Sequence, residues 1–368
     1  MRVAFCGGGT GGHVYPALTV AAALRRRLPE DALQMLYVGV AGRMDEDLVS
    51  RENIPFRAVA AGPLRVGSPT GAAKGLLKLG AGAIQASAVL RRFRPDVVFA
   101  TGGYGSVGVG LATRLRGCKL VLFLPDVEAG LAVKTLAKLA ARIAVTNDEV
   151  LKSMPPGKTV LTGYPVRPEF FATTRDEARR RLNLHPTLPT LLVAGGSTGA
   201  SAINQAVAGW AADFLRLGQL IHICGHNDEA WLRTAHERLS DEERARYHLH
   251  AYIHEGIADA FAAADIAVMR AGASTLGELP ATRLPAILVP GAFSDQDVNA
   301  RYLAGKGAAV VLLQDRLDDL KPLVLDLLGD TTRRQSMRDA LASLARPDAA
   351  DRLADLIIEA ANAPQVAA

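Results

Sequence analysis

The chain has 368 residues, 49% apolar and 21% charged, with 35 glycines and a formal net charge of +5. That balance suits two globular domains of about 150–200 residues each and excludes a disordered or fibrous protein. Aromatic residues are only 5%, and with no basic–aromatic interleaving and no zinc-ligand spacing, nothing points to nucleic acid.

The N-terminus enters a strand pattern at once, Val3–Cys6, and does not read as a signal peptide. Further strands are predicted at Met35–Val38, Val97–Thr101, Leu120–Leu124 and Ile143–Thr146. In the second half they fall at Leu191–Ala194, Leu220–Cys224, Ile266–Met269, Ile287–Pro290 and Ala309–Leu313. Helical patterns separate these runs, which predicts βαβ units and parallel sheets. The first helix shows the 3.6-residue period in Leu18, Ala21 and Leu24 and ends on Arg25–Arg27, cations suited to a helix C-terminus. Thr162–Pro168, with two prolines and a glycine, reads as the hinge. Residues 1–163 and 164–345 are therefore the expected domains, and the chain is expected to fray from about Ala361. No apolar run approaches the roughly 20 residues that span a bilayer. Cys6, Cys118 and Cys224 are odd in number and far apart, which fits a reducing cytoplasm and no structural metal.

Charge divides unevenly. Residues 1–163 carry 21 Lys/Arg against 11 Asp/Glu, a net of +10, and the remainder 21 against 26, a net of −5. Either this is ordinary solvated surface, or the first half faces an anionic partner such as a membrane surface rich in phosphate. The stretch Lys74–Leu79 with Ile84, Val89, Leu90 and Arg91–Arg94 mixes apolar and basic residues. It reads equally as a lipid-facing surface or as a helix with a buried stripe.

Glycine-rich turns follow the first strand of each half: Gly7-Gly8-Gly9-Thr10-Gly11-Gly12 after Val3–Cys6, and Gly195-Gly196-Ser197-Thr198-Gly199 after Leu191–Ala194. Such a turn lets backbone N–H groups and a helix N-terminus approach a phosphate. Neither turn matches the dinucleotide fingerprint with its acidic residue about 20 positions on. One in each half suggests two Rossmann-like domains facing one another. His13 sits inside the first loop, where an imidazole can accept a proton near neutral pH, or can merely cap the helix. Gly102, Gly103 and Tyr104 follow another strand and form either an acceptor phosphate cradle or a simple turn. The second half holds Arg270-Ala271-Gly272-Ala273-Ser274-Thr275-Leu276-Gly277-Glu278. It offers small residues and hydroxyls at a helix start to a diphosphate, and the Glu278 carboxylate to the two hydroxyls of a ribose. The polar loop Ser294–Ala300 follows a buried strand, where sugar hydroxyls would be read.

Taken together, these motifs resemble the MurG family of N-acetylglucosaminyltransferases, over nearly the whole chain. GGGTGGHVYPAL at Gly7–Leu18, TGGY at Thr101–Tyr104, TGYPVR at Thr162–Arg167, GGSTGA at Gly195–Ala200 and RAGASTLGEL at Arg270–Leu279 carry the resemblance. It implies a GT-B fold, two Rossmann-like domains with parallel sheets facing across a cleft, and transfer of N-acetylglucosamine from UDP-N-acetylglucosamine to lipid I with inversion and without a bound metal or other cofactor. His13 would be the base. Thr10, Gly11, Gly12, Asp126, Arg167, Ser197, Ile253, Arg270, Ala273–Glu278 and Gln296 would meet the donor, with Ile253 on the uracil through its backbone, Glu278 on the ribose and Gln296 on the sugar. The last helix, in residues 346–368, would return to the first domain. The enzyme would work at the cytoplasmic face of an anionic membrane as a peripheral protein with a polyprenyl-diphosphate-linked acceptor.

The chain departs from that pattern in three places. Phe123-Leu124-Pro125-Asp126 stands where the family usually shows His-Glu-Gln-Asn, Asp295-Gln296 where His-Gln is common, and TGYP where TGNP is usual. Another lipid acceptor, a UDP-N-acetylglucosamine 2-epimerase, and a non-catalytic UDP-sugar-binding homologue are the competing readings.

Overall fold

The computed structural model describes residues 1–8, 11–42, 44–62, 69–196, 199–253, 255–291 and 296–363. The chain divides into two compact units, Met1–Val166 with Asp348–Ala368, and Arg167–Pro347. The first unit holds seven strands: β1 Arg2–Cys6, β2 Gln34–Gly39, β3 Phe56–Ala58, β4 Val97–Ala100, β5 Lys119–Leu124, β6 Arg142–Val145 and β7 Thr159–Leu161. Their order across the sheet is β3-β2-β1-β4-β5-β6-β7, and every pairing is parallel. The second unit holds β8 Thr190–Ala194, β9 Gln219–Ile223, β10 Tyr247–His250, β11 Ile266–Met269, β12 Ala286–Leu288 and β13 Ala309–Val311. Their order is β10-β9-β8-β11-β12-β13, again all parallel.

Both sheets grow outward from their first strand and then jump to its other side. The crevice beyond the carboxyl ends of β1 and β4, and that beyond β8 and β11, are therefore the topological switch points where ligands of such sheets bind. Helices cover both faces of a parallel sheet, so its strands read as unbroken apolar runs. Val3, Ala4, Phe5 and Cys6 are all at 0% exposure, as are Leu191, Leu192 and Val193. The register sets Val3 beside Val97 and Leu191 beside Ile266, aligning the glycine turns that follow.

Three strands were not anticipated from sequence: β3, β7 and β10. Each lies at the edge of its sheet and pairs with a single neighbour. An edge strand buries less, so Phe56-Arg57-Ala58, Thr159-Val160-Leu161 and Tyr247-His248-Leu249-His250 are mixed in polarity and half-buried or exposed at most positions.

The helix Ala349–Asn362 belongs to the first unit. Leu353, Ala354, Leu356 and Ile357 are buried there, a hydrophobic contribution of several kcal/mol. Its ion pairs, Arg26 with Asp351 at 3.2 Å, Arg27 with Asp355, and Arg142 with Glu359 at 2.8 Å, are solvent-exposed and add about 1 kcal/mol or less each. In the second unit Arg179, 2% exposed, meets Asp265 at 3.1 Å and donates to Thr190 Oγ1 and to the Ala263 and Pro186 carbonyls. A guanidinium with this many partners can be buried, and here it ties the start of β8 to the segment entering β11.

Candidate active site

In the first unit the site forms where β1 and β4 end. The helix Gly11–Arg27 begins within the first glycine run, so Gly11, Gly12 and His13, expected in a loop, form its first turn. Thr101, at 0% exposure just past β4, holds His13 twice. Its hydroxyl donates to the His13 carbonyl at 2.7 Å, and its own carbonyl lies 2.9 Å from His13 Nδ1. A carbonyl only accepts, so Nδ1 carries the proton, and in the neutral ring Nε2 keeps its lone pair. The half-exposed imidazole is thereby fixed in one tautomer, with Nε2 as its acceptor nitrogen.

Gly102 and Gly103 have φ of 89° and 77°, the left-handed region open to glycine. They lie under the imidazole. A Cβ on Gly102 would come within 3.6 Å of His13 Cε1, and one on Gly103 within 2.8 Å of the Gly8 carbonyl oxygen and 3.4 Å of His13 Cδ2. Gly8 and Gly103 thus pack directly on one another, with His13 seated between Thr101 and Gly102–Gly103. Gly103 also caps the helix Tyr104–Arg116. Gly11 and Gly12 lie beside His13 in the opening turn of its helix. Asp126 is half-buried just past β5, the strand next to β4. Phe123 and Leu124 of the same unusual run lie inside β5 at 0% and 1% exposure, so those two departures are changes of core. Thr10 lies outside the described residues.

The second unit gathers its candidates in the same way beyond β8, β11 and β12. The helix Thr275–Thr282 begins at Ser274, and Thr275 Oγ1 donates to the Gly272 carbonyl at 2.6 Å, shaping the turn before it. Glu278 is partly buried on this helix. Burial raises its carboxyl above the ordinary range, while a hydrogen bond from Ser274 and the nearby Arg167 charge pull it partway back. Arg167 itself lies over the Phe170 ring, 5.4 Å from its centroid, and meets Glu169 at 3.3 Å. Ala273 and Ser274 are half-buried, Thr275, Leu276 and Gly277 buried. Gln296 opens the helix Gln296–Gly305 and accepts from the Gly291 N–H at 3.0 Å. This bond uses its oxygen and leaves the amide N–H groups to donate. Ile253 is half-buried beyond β10. Ser197 lies outside the described residues, as does Asp295.

Arg270, expected among the donor contacts, has its guanidinium hydrogen-bonded within the protein. It donates to the Val289 and Pro290 carbonyls at 3.1 Å each and to Gln314 at 2.8 Å. It braces the loop beyond β12, and Asn299 adds a bond to the Ala271 carbonyl at 3.1 Å.

Sequence reading missed Thr101, whose only signal was its place before two glycines. It also missed the buried network behind the second glycine turn. Asp228 accepts from Ser201 at 2.6 Å, Asn204 at 2.7 Å and Trp231 at 2.9 Å, and His222 bridges Asn204 and Tyr247 at 2.9 and 2.7 Å. Burial pushes His222 down to about 3, a neutral structural histidine.

Residues 3–145 match the model of the glycosyltransferase family 28 N-terminal domain, and residues 190–353 that of its C-terminal domain. The two sheets and the two switch-point sites are thus the domain pair of a GT-B glycosyltransferase. Curated relatives include the UDP-N-acetylglucosamine–N-acetylmuramyl-(pentapeptide) pyrophosphoryl-undecaprenol N-acetylglucosamine transferases of Roseiflexus sp. (strain RS-1), 39% identical with 97% of this chain and 94% of the relative covered, and of Desulforudis audaxviator (strain MP104C), 38% identical with 97% and 98% covered. The fold is similar to the crystal structure of Acinetobacter baumannii MurG (TM-score 0.70, 24% identity, 97% and 99% covered) and to that of a UDP-GlcNAc 2-epimerase from Neisseria meningitidis bound to UDP-GlcNAc (TM-score 0.67, 12% identity, 98% and 100% covered). Fold alone does not divide transferase from epimerase; the sequence relatives do. The chain belongs to the MurG family.

Proposed function

We propose that this enzyme transfers N-acetylglucosamine from UDP-N-acetylglucosamine to lipid I, the polyprenyl-diphosphate-linked acceptor, making lipid II for peptidoglycan. The names its relatives carry support the substrates, and the tautomer of His13 carries the mechanism. His13 Nε2 takes the proton of the acceptor hydroxyl as that oxygen attacks the sugar C1 from the face opposite UDP. The C1–O bond to UDP breaks, and the configuration inverts. The starts of the helices Ser201–Ala208 and Thr275–Thr282 present N–H groups to the departing diphosphate, joined by Thr10, Gly11, Gly12 and Ser197. Glu278 accepts from the ribose, Ile253 meets the uracil through its backbone, and Gln296 donates to the sugar. Arg167 and Asp126 complete the donor contacts, and Gly102–Tyr104 cradle the acceptor phosphate.

Leu77 and Ile84 on the helix Pro69–Phe93, and Leu115 on the helix Tyr104–Arg116 packed against it, are each about three-quarters accessible, and the same two helices expose Lys78, Arg91, Arg92, Arg114 and Arg116. This mix supports a peripheral seat on an anionic membrane at its cytoplasmic face. Leu90 is in the core instead, at 1% exposure, and the side chains of Lys74 and Leu76 lie outside the described ones. Among the described residues no helix is long and apolar enough to cross a membrane.

The test is radiolabelled UDP-N-acetylglucosamine with lipid I in detergent, with and without EDTA. Label in lipid II that survives EDTA is expected, with His13→Ala lowering kcat by about 10²- to 10⁴-fold. Label in UDP-N-acetylmannosamine would make the chain an epimerase. UDP binding with neither product would make it a non-catalytic homologue, and full activity of His13→Ala would remove the base assignment.

A further inference from the structure

His13 can act as a base only if its helical turn is held still, and that turn has a defect at its root. Inside an α-helix the carbonyl of residue 12 accepts from the N–H of residue 16. Residue 16 is Pro16, inside the helix Gly11–Arg27, which has no N–H and whose ring crowds the carbonyl four residues back. The Gly12 carbonyl therefore lacks its helical donor one residue before His13. Tyr164 reaches that atom from elsewhere in the same unit: its hydroxyl donates to the Gly12 carbonyl at 3.1 Å.

Tyr164 is firmly placed to do this. It is 5% exposed, in a segment whose residues 162–166 are all buried and whose Thr162 and Gly163 N–H groups both donate to the Val145 carbonyl, at 3.0 and 3.2 Å. Its ring meets Phe123 edge-on, centroids 6.0 Å apart. Phe123 lies against Phe99 at 6.5 Å and Phe99 against Phe5 at 6.0 Å. A file of rings across β1, β4 and β5 thus ends in a hydroxyl at the base of the His13 turn. Thr101 holds the imidazole and the His13 carbonyl from one side, and Tyr164 holds the preceding peptide from the other.

We infer that Tyr164 is a positioning residue for His13, replacing the hydrogen bond that Pro16 removes. The inference rests on His13 being the base. It predicts coupling between Tyr164 and Pro16, residues that share one acceptor atom. Tyr164→Phe leaves the carbonyl without this donor and loosens the turn. In Pro16→Ala the helix supplies its own N–H, and the tyrosine hydroxyl becomes dispensable.

The experiment measures kcat and the KM for UDP-N-acetylglucosamine in wild type, Tyr164→Phe, Pro16→Ala and the double variant, with lipid I in detergent and the folded fraction counted by UDP titration. Tyr164→Phe is expected to lower kcat roughly 5- to 20-fold, the worth of a hydrogen bond to a reacting group's support, with the donor KM within about twofold. The double variant should lie within about threefold of Pro16→Ala. The ¹⁵N spectrum of the His13 imidazole gives a second readout that does not depend on turnover. The Nδ1–H tautomer should dominate in wild type, mix in Tyr164→Phe and return in the double variant. An unchanged kcat and tautomer in Tyr164→Phe, or equal losses with and without Pro16, would overturn the inference. His13→Ala judges the base assignment separately: if it is inactive while Tyr164 and Pro16 act independently, the positioning role alone fails.

Discussion

Glu278→Gln separates a working carboxylate from a structural one, because the two roles predict opposite changes in stability. Burial holds the Glu278 proton more tightly in the folded chain than in the unfolded one. Its favourable contribution is therefore present below the ordinary carboxyl range and is lost as pH rises through the raised folded value. A glutamine does not titrate. The variant should melt above wild type at pH 7.5 and converge with it near pH 4. Ligand binding should move the other way. A ribose diol donates two hydrogen bonds to a carboxylate, each worth about 1.5–3 kcal/mol. The glutamine keeps one neutral acceptor, so a loss of about 2–3 kcal/mol is expected, or roughly 30- to 150-fold weaker UDP. Calorimetric titration with UDP and thermal melts at the two pH values give both quantities from one preparation. Unchanged UDP affinity would take the ribose away from Glu278. A melting temperature below wild type at pH 7.5 would show a carboxylate kept for the fold.

Gly103→Ala puts a Cβ 2.8 Å from the Gly8 carbonyl oxygen at φ 77°, and should cost about 2–3 kcal/mol in urea unfolding with kcat down more than tenfold; a wild-type kcat would mean the glycine turns do not set His13. Asp265→Ala strips the carboxylate from Arg179, 2% exposed, and is expected to lose about 3–5 kcal/mol by the same measurement, whereas a loss below 1 kcal/mol would mean the Thr190 and carbonyl partners suffice. His222, pushed down to about 3, must stay neutral as the unfolded chain takes up a proton. Its share of stability is complete above pH 6.5 and falls with pH toward 3, by up to about 1.4 kcal/mol per unit. Unfolding series between pH 7 and 5 should be steeper in wild type than in His222→Gln, and equal slopes would contradict the buried neutral ring.

Sequence pattern reached the centre of each sheet and the edge strand β13, and missed the other three edges, β3, β7 and β10. β1, β4, β8 and β11 are buried on both faces, so apolarity alone betrays them. Phe56–Ala58 is three residues long and held by β2 from one side only, and its pattern carries no period to read. The glycine turns were legible because φ near 80° at Gly102 and Gly103 leaves few alternatives to glycine. The setting of His13 was not, because Thr101 is 88 residues away and only the pairing of β1 with β4 brings it near. Arg270 shows the converse limit. It sits inside the most specific motif of the second half, yet its guanidinium bonds to carbonyls 19 and 20 residues on. A motif identifies a neighbourhood without saying which members face the ligand.

The departures at Phe123 and Tyr164 look independent in the sequence, 41 positions apart, and the structure makes them neighbours, ring to ring at 6.0 Å. Phe123 is at 0% exposure, so returning it to the usual histidine places an imidazole in the core, where its nitrogens need partners. Tyr164 already gives its hydroxyl proton to Gly12. Phe123→His alone is therefore expected to cost about 2–3 kcal/mol, within the range for a buried polar group without its bond. Combining it with Tyr164→Asn, the usual residue of that segment, removes the facing ring and supplies a polar group nearby. The double reversion should then cost at least 1 kcal/mol less than the sum of the two single changes, as coupling between touching residues allows. Urea unfolding of the four proteins measures that difference. Additive losses would mean that the two substitutions arose without regard to each other, and that the ring contact is packing with no preference for its partner.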